Sequence, residues 1–282
     1  MIRYLLLLIF LQGLSVCSDA QLIYPVVGYY KGRSAQDMAI YGDNAYLMSD
    51  GGLYRIFNLK TGELERDGYL ASSGKNTHIN CVCFGAEYPD GANIPYLYVS
   101  ETIKPHRCFV ENVYGNAVLV QTIEAVENGK IYSNFGWLVD REDGSLYGLN
   151  SFWHHYIDEI GNIRTIITKY RLPKVNEGKK VVLSEKDIID RYDVLFTSSM
   201  QGAAIHKGKL YVATGLWESD KNTQETRRII VVVDLKKKRK VKEIDVNLLT
   251  TNEPEGIDFY KSNCLLFCGQ TGGIYRVKKR RK

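Results

Sequence analysis

Short apolar runs with alternating polar positions recur along the whole chain, and long helical periodicity is hard to find. The runs are punctuated by Gly, Asp and Asn, which is the signature of strands joined by tight turns. Two sixteen-residue stretches, "MQGAAIHKGKLYVATG" at 200–215 and "PEGIDFYKSNCLLFCG" at 254–269, share one plan. A polar residue precedes a glycine (Gln201-Gly202, Glu255-Gly256), and a second glycine closes each stretch at Gly215 and Gly269. "GGLYRI" at 51–56 echoes "GGIYRV" at 272–277, and "QDMAIYGDNAYLMSD" leads into the first of these, so both echoes belong to one longer unit.

That unit is four strands long. Inner strands are expected to begin near Gln36, His78, Asn134, Gln201 and Glu255. Second strands follow at "AYLMS", "YLYVS", "SLYGLN", "KLYVATG" and "CLLFCG", and third strands at "LYRIFNL", "RCFVENVY", "RTIITKYRL", "RRIIVVVDL" and "GIYRV". Fourth strands are expected at "ELERDGYL", "AVLVQTIE", "KKVVLSE" and "KVKEIDVN". The fifth unit stops after three, and the orphan strand "LIYPVVGYY" at 22–30 is expected to complete it. The reading is an all-β, five-bladed β-propeller, closed by an N-terminal strand that completes the last blade and removes exposed sheet edges. Residues 21–282 form one domain in this reading.

The first twenty residues differ in character. Arg3, the apolar run "YLLLLIFLQGLSV" and the small residues ending in "CSDA" predict a secretory signal peptide cleaved after Ala20. A rival reading makes Cys17 the lipidated start of a lipoprotein, and only then would the chain meet a membrane. Both place the protein outside the cytoplasm: secreted, periplasmic or on the cell surface. Of the five later cysteines, Cys81, Cys83, Cys108, Cys264 and Cys268, none falls in a zinc-site spacing, and Cys81 and Cys83 read as buried small side chains. The net charge of +5 is concentrated in "KKKRK" at 236–240 and "KKRRK" at 278–282. Export argues against a nucleic-acid partner, and these runs read as a solvated turn and tail.

In such a ring the polar residues at the inner-strand starts converge on the axis, where the channel mouth makes a concave pocket. Here they are Gln36, Asp37, His78, Asn80, Asn134, Trp137, Gln201 and Glu255. Neighbouring loops add Asp50, Glu101, Trp153, Trp217, Glu218 and Gln270. Amides, carboxylates and flat aromatic rings suit a glycan or another polar small molecule, bound by a monomer without a cofactor. His154 and His155 are adjacent, and point to opposite sides of an extended strand, which argues against a metal site. Asp37, Glu101 and Glu255 are the candidates for an acid and base of the glycosidase or lyase kind. Neither a Gly-x-Ser-x-Gly elbow nor a Walker-type glycine loop is present. A protein-interaction platform built on the rims is a third reading, to be told by a large apolar patch.

"MQGAAIHKGKLYVATGLWES" and "LMSDGGLYRI" resemble blades of the five-bladed plant- and bacterial-type glutaminyl cyclotransferases. The resemblance covers some forty residues and implies the fold, with Gln201 and Glu255 as pocket residues. The Asn-Glu-hydrophobic-Glu stretch of that family, with its following Asn-x-Trp, has no counterpart in the other blades. Arabinanase-like glycosidases share the five-bladed plan, but only Asp37 and Glu255 match their acidic residues; His78, Asn134 and Gln201 stand at the other blade starts.

Overall fold

The structure is a computed structural model describing residues 16–25, 35–74, 78–156, 162–196, 198–215, 227–247, 253–268 and 273–279. A strand β1 (Val16–Pro25) precedes five blades. Blade one is the meander β2 (Ala35–Tyr41), β3 (Asn44–Ser49), β4 (Leu53–Asn58) and β5 (Glu63–Tyr69). Blade two holds β6 (Ile79–Phe84), β7 (Leu97–Glu101), β8 (Cys108–Asn112) and β9 (Val118–Glu127), with a short β10 (Lys130–Ile131) on its edge. Blade three begins with β11 (Gly136–Asp140), β12 (Ser145–Tyr156) and β13 (Ile163–Arg171). It is interrupted by β14 (Lys180–Leu183) and completed by β15 (Ile188–Phe196). Blade four is β16 (Met200–His206), β17 (Lys209–Thr214), β18 (Ile229–Asp234) and β19 (Arg239–Asp245). Blade five is β20 (Gly256–Tyr260), β21 (Asn263–Phe267), β22 (Gly273–Lys279) and, from the other end of the chain, β1.

The closure expected from the sequence is present with a shifted strand. β1 runs antiparallel to β22, with Leu22 opposite Tyr275 and Tyr24 opposite Ile274. It starts at Val16 rather than Leu22, so residues 18–20 pair with β22 as well, while Val16 and Cys17 pair with β19 in parallel. Residues 26–30 of the expected strand lie outside the described residues. A second expectation is corrected: "KKVVLSE" is not the fourth strand of blade three. Its residues 180–183 leave that blade and lie parallel to β9, covering the outer edge of blade two, while β15 takes the vacant place. Alternation explains the choice, since Val181 and Leu183 point into the core between blades two and three while Lys180 and Val182 face out. The strap is tied down by the buried Gln121, whose amide donates to the carbonyls of Lys174 at 2.9 Å and Gly178 at 3.0 Å.

Five apolar clusters among the described residues fill the five gaps between blades. The run Ile229–Val233 shows how sequence encodes this. Ile229, Val231 and Val233 pack toward blade three, and Ile230 and Val232 toward blade five, so a strand apolar at every position is one buried on both faces. Burial of this kind, at about 25 cal/mol per Å² of apolar surface, is the main force holding the ring. The inner strands β2, β6, β11, β16 and β20 meet at the hub, where β16 lies against each of the other four.

Candidate functional site

At the hub the repeated polar-Gly dipeptide finds its reason. Asp37, completely buried, sends its carboxyl from β2 into the middle of the inner strands. Oδ1 accepts the backbone N–H of Met38 at 2.7 Å, Oδ2 accepts that of Val82 on β6 at 2.7 Å, and Ile257 on β20 donates as well. At the matching positions of blades four and five stand Gly202 and Gly256. A Cβ on Gly202 would lie 2.3 Å from the Glu255 carbonyl oxygen and 2.6 Å from Asp37 Oδ1; one on Gly256 would lie 2.7 Å from the same carboxyl oxygen. One side chain fits in this layer because its neighbours have none. Burial raises Asp37 well above the usual carboxylate range, against the pull of its three N–H donors. Asp37 is therefore a hub plug sealed from solvent, which corrects its reading as a catalytic candidate.

One residue toward the strand starts, the chemistry opens out. Gln201 on β16 donates its side-chain amide to Glu253 Oε1 at 2.5 Å and to the Gly215 carbonyl at 3.1 Å. Glu253 in turn is hydrogen-bonded to Glu255, two residues on and 7% exposed. Burial pushes both carboxyls up; for Glu255, the charge of Glu253 and the proton it donates to Glu253 add to this, lifting it well above its ordinary value. His78 and Arg228 act the other way on Glu253. Two adjacent carboxyls in a low-dielectric site resist ionising together, and the raised Glu255 is the donor of their hydrogen bond. Beside it the exposed His78 pairs with Asp50 at 2.9 Å, Nδ1 to Oδ1, across the gap between blades one and two.

The other expected residues divide. Gln36 is buried at the start of β2 and Asn80 half-buried on β6, both at this end of the hub. Glu101 does not stand free: Arg107 grips it bidentately, Nε to Oε2 at 2.7 Å and Nη2 to Oε1 at 3.0 Å, which fits a structural ion pair and not a proton shuttle. Trp137 is wholly enclosed between blades two and three, with its indole N–H on the His106 carbonyl at 3.0 Å and its ring against Tyr170. Asn134 is also wholly buried, its amide 3.3 Å from the Tyr170 hydroxyl. These two are core residues, not pocket walls, because the expected blade-three inner strand starts later, at Gly136. The side chain of Trp153 on β12, and Trp217, Glu218 and Gln270 entirely, lie outside the described residues. Sequence reading missed Glu253 and Arg228; the alternate acids of "EPEG" were the only signal for the first.

Among the described residues no group of three or more His, Cys, Asp or Glu is placed to hold a metal ion. Cys81, Cys83, Cys108, Cys264 and Cys268 are free thiols. No family model and no curated relative matches the sequence. Among solved structures the chain is similar to a crystal structure of Myxococcus xanthus glutaminyl cyclase, with a TM-score of 0.55 and 15% identity, over 93% of this chain and 97% of that one. At that identity the likeness is one of fold, and it is the fold already counted blade by blade: a five-bladed β-propeller.

Proposed function

We propose that the protein is an exported propeller that binds a polar, hydroxyl-rich ligand, a glycan or cell-envelope component, over the mouth formed by Glu253, Glu255, Gln201 and His78. The observation that carries this reading is the run of side-chain hydrogen bonds from the Gln201 amide to Glu253 and on to Glu255. Two carboxyls backed by an amide bring donor and acceptor groups together at one end of the hub, as a sugar edge requires. Export is compatible with the closure: cleavage after Ala20 would leave Gln21, Leu22, Tyr24 and Pro25 paired with Arg276, Tyr275, Ile274 and Gly273. The test is an oligosaccharide and peptide binding screen on the purified mature chain, repeated with Gln201→Ala and Glu255→Gln. Binding should weaken at least tenfold, about 1.4 kcal/mol, in each variant. Binding unchanged in both would remove the reading.

A second reading, favoured by the same pair, is an enzyme that moves a proton, with Glu255 as acid and Glu253 as its partner. The fold neighbour is a glutaminyl cyclase, which makes peptides with an N-terminal glutamine the first substrates to try. Here Glu255→Gln abolishes turnover while substrate still binds; turnover at the original rate would end it.

A further inference from the structure

The opposite end of the hub holds a cavity of 480 Å³, entered where the five inner strands finish, and nothing above uses it. Its size is that of a small-molecule pocket. Its lining is mixed, with Val82, Ile205 and Phe259 among the apolar groups and Arg141, Glu142, Lys207 and Asp258 among the charged ones. Phe259 carries His206 flat against it, ring centres 4.0 Å apart and planes 8° from parallel. Burial and the neighbouring Lys207 hold His206 below the usual histidine range, so that wall is a neutral aromatic slab at neutral pH.

Two opposite charges of this lining stand near that slab. Asp258, on β20, lines the cavity with its carboxyl fixed by two backbone donors, Ile40 N–H on Oδ2 at 2.5 Å and Phe259 N–H on Oδ1 at 2.7 Å. Arg141, exposed on the turn between β11 and β12, lines the same cavity and lies over the Tyr41 ring at 5.3 Å. Two further carboxyls line the cavity: Asp140, nearly buried with its Oδ1 accepting the Glu142 N–H at 2.9 Å, and Glu142, exposed on the turn beside Arg141. We propose that this cavity binds a small zwitterion with an apolar body, a free amino acid, its ammonium on Asp258 and its carboxylate on Arg141.

Proton linkage gives the site a signature. Burial lifts Asp258 to about 7, opposed by its two N–H donors and by Arg141, so near neutrality the carboxyl is partly protonated. The other titratable groups that face it are Asp37 from β2, Cys83 from β6 and Cys264 from β21, while Asp140, Glu142, His206 and the cation Lys207 line the same cavity. An ammonium arriving at the Asp258 carboxyl favours its ionised form and drives the proton off.

The experiment is calorimetric titration of the full chain with three probes sharing a benzene body: L-phenylalanine, phenethylamine, which lacks the carboxylate, and 3-phenylpropionate, which lacks the ammonium. L-phenylalanine should bind tightest and 3-phenylpropionate at least tenfold more weakly. Affinity for phenethylamine should rise up to about tenfold from pH 6 to pH 8, as Asp258 ionises, with protons released to the buffer at pH 6. Arg141→Gln, on an exposed turn, should weaken L-phenylalanine at least fivefold at pH 8 and phenethylamine clearly less, through the rise in Asp258 alone. Asp258→Asn should abolish the proton release. No binding by any probe, equal binding of 3-phenylpropionate and L-phenylalanine, or an Arg141→Gln effect equal on L-phenylalanine and phenethylamine would each overturn the proposal.

Discussion

Asp37 and Glu255 are both buried carboxyls at the hub, both raised by burial, and they sit in adjacent blades after ring closure. What separates them is the partner. Asp37 is met by backbone N–H groups of three strands, and its neighbours Gly202 and Gly256 leave no room for anything else. Glu255 is met by another carboxyl, Glu253, whose charge raises it further. A donor cage holds an acid in a structural place, whereas a like-charge partner is the arrangement that the function proposed above draws on. The same contrast holds for Glu101, removed from chemistry by Arg107.

The sharpest way to break the comparison is at the glycines. Gly202→Ala puts a methyl against a carbonyl and a carboxylate that cannot yield, and should cost about 3 kcal/mol, a fall in Tm of roughly 6–12 °C by calorimetry. A neutral result would mean that the hub is loose and that Asp37 is no plug. Next, Asp37→Asn keeps the shape but turns one acceptor into a donor facing an N–H. Its cost should be about 2 kcal/mol, roughly 4–8 °C in Tm.

Both kinds of carboxyl share one consequence, a stability that falls as pH rises. Asp258, at about 7 against an ordinary 3.8, keeps its proton in the folded chain over a range where the unfolded chain has lost it. Its contribution is therefore full below about pH 4 and is lost as pH climbs through about 7. Asp37, Glu253 and Glu255 are shifted in the same direction. Thermal melts should show Tm higher at pH 5 than at pH 8, by roughly 3 °C for about 1 kcal/mol. A flat or rising profile would say that the buried acids are compensated. The smallest stability effect belongs to Glu255→Gln, within about 1 kcal/mol, because the new amide can still donate to Glu253. That variant separates the two acids most cleanly, since it should lose ligand while its fold holds.

The ring was legible because each blade writes the same strand pattern, and alternation over a few residues needs no knowledge of the rest of the chain. Ile229–Val233, apolar throughout, already declared itself a strand between two others. The strap at 180–183 was not legible: "KVVL" alternates as well as any fourth strand, and only the vacant edge of β9 and the grip of Gln121 decided where it went. The site divides in the same way. Residue type placed Gln201 and Glu255 at strand starts facing one hub. That Trp137 and Asn134 face the core, that Glu101 is neutralised six residues on by Arg107, and that Glu253 is hydrogen-bonded to Glu255 depend on distances between side chains. Periodicity is a local property and survives in the sequence; protonation and burial are set by neighbours that meet only when the ring closes.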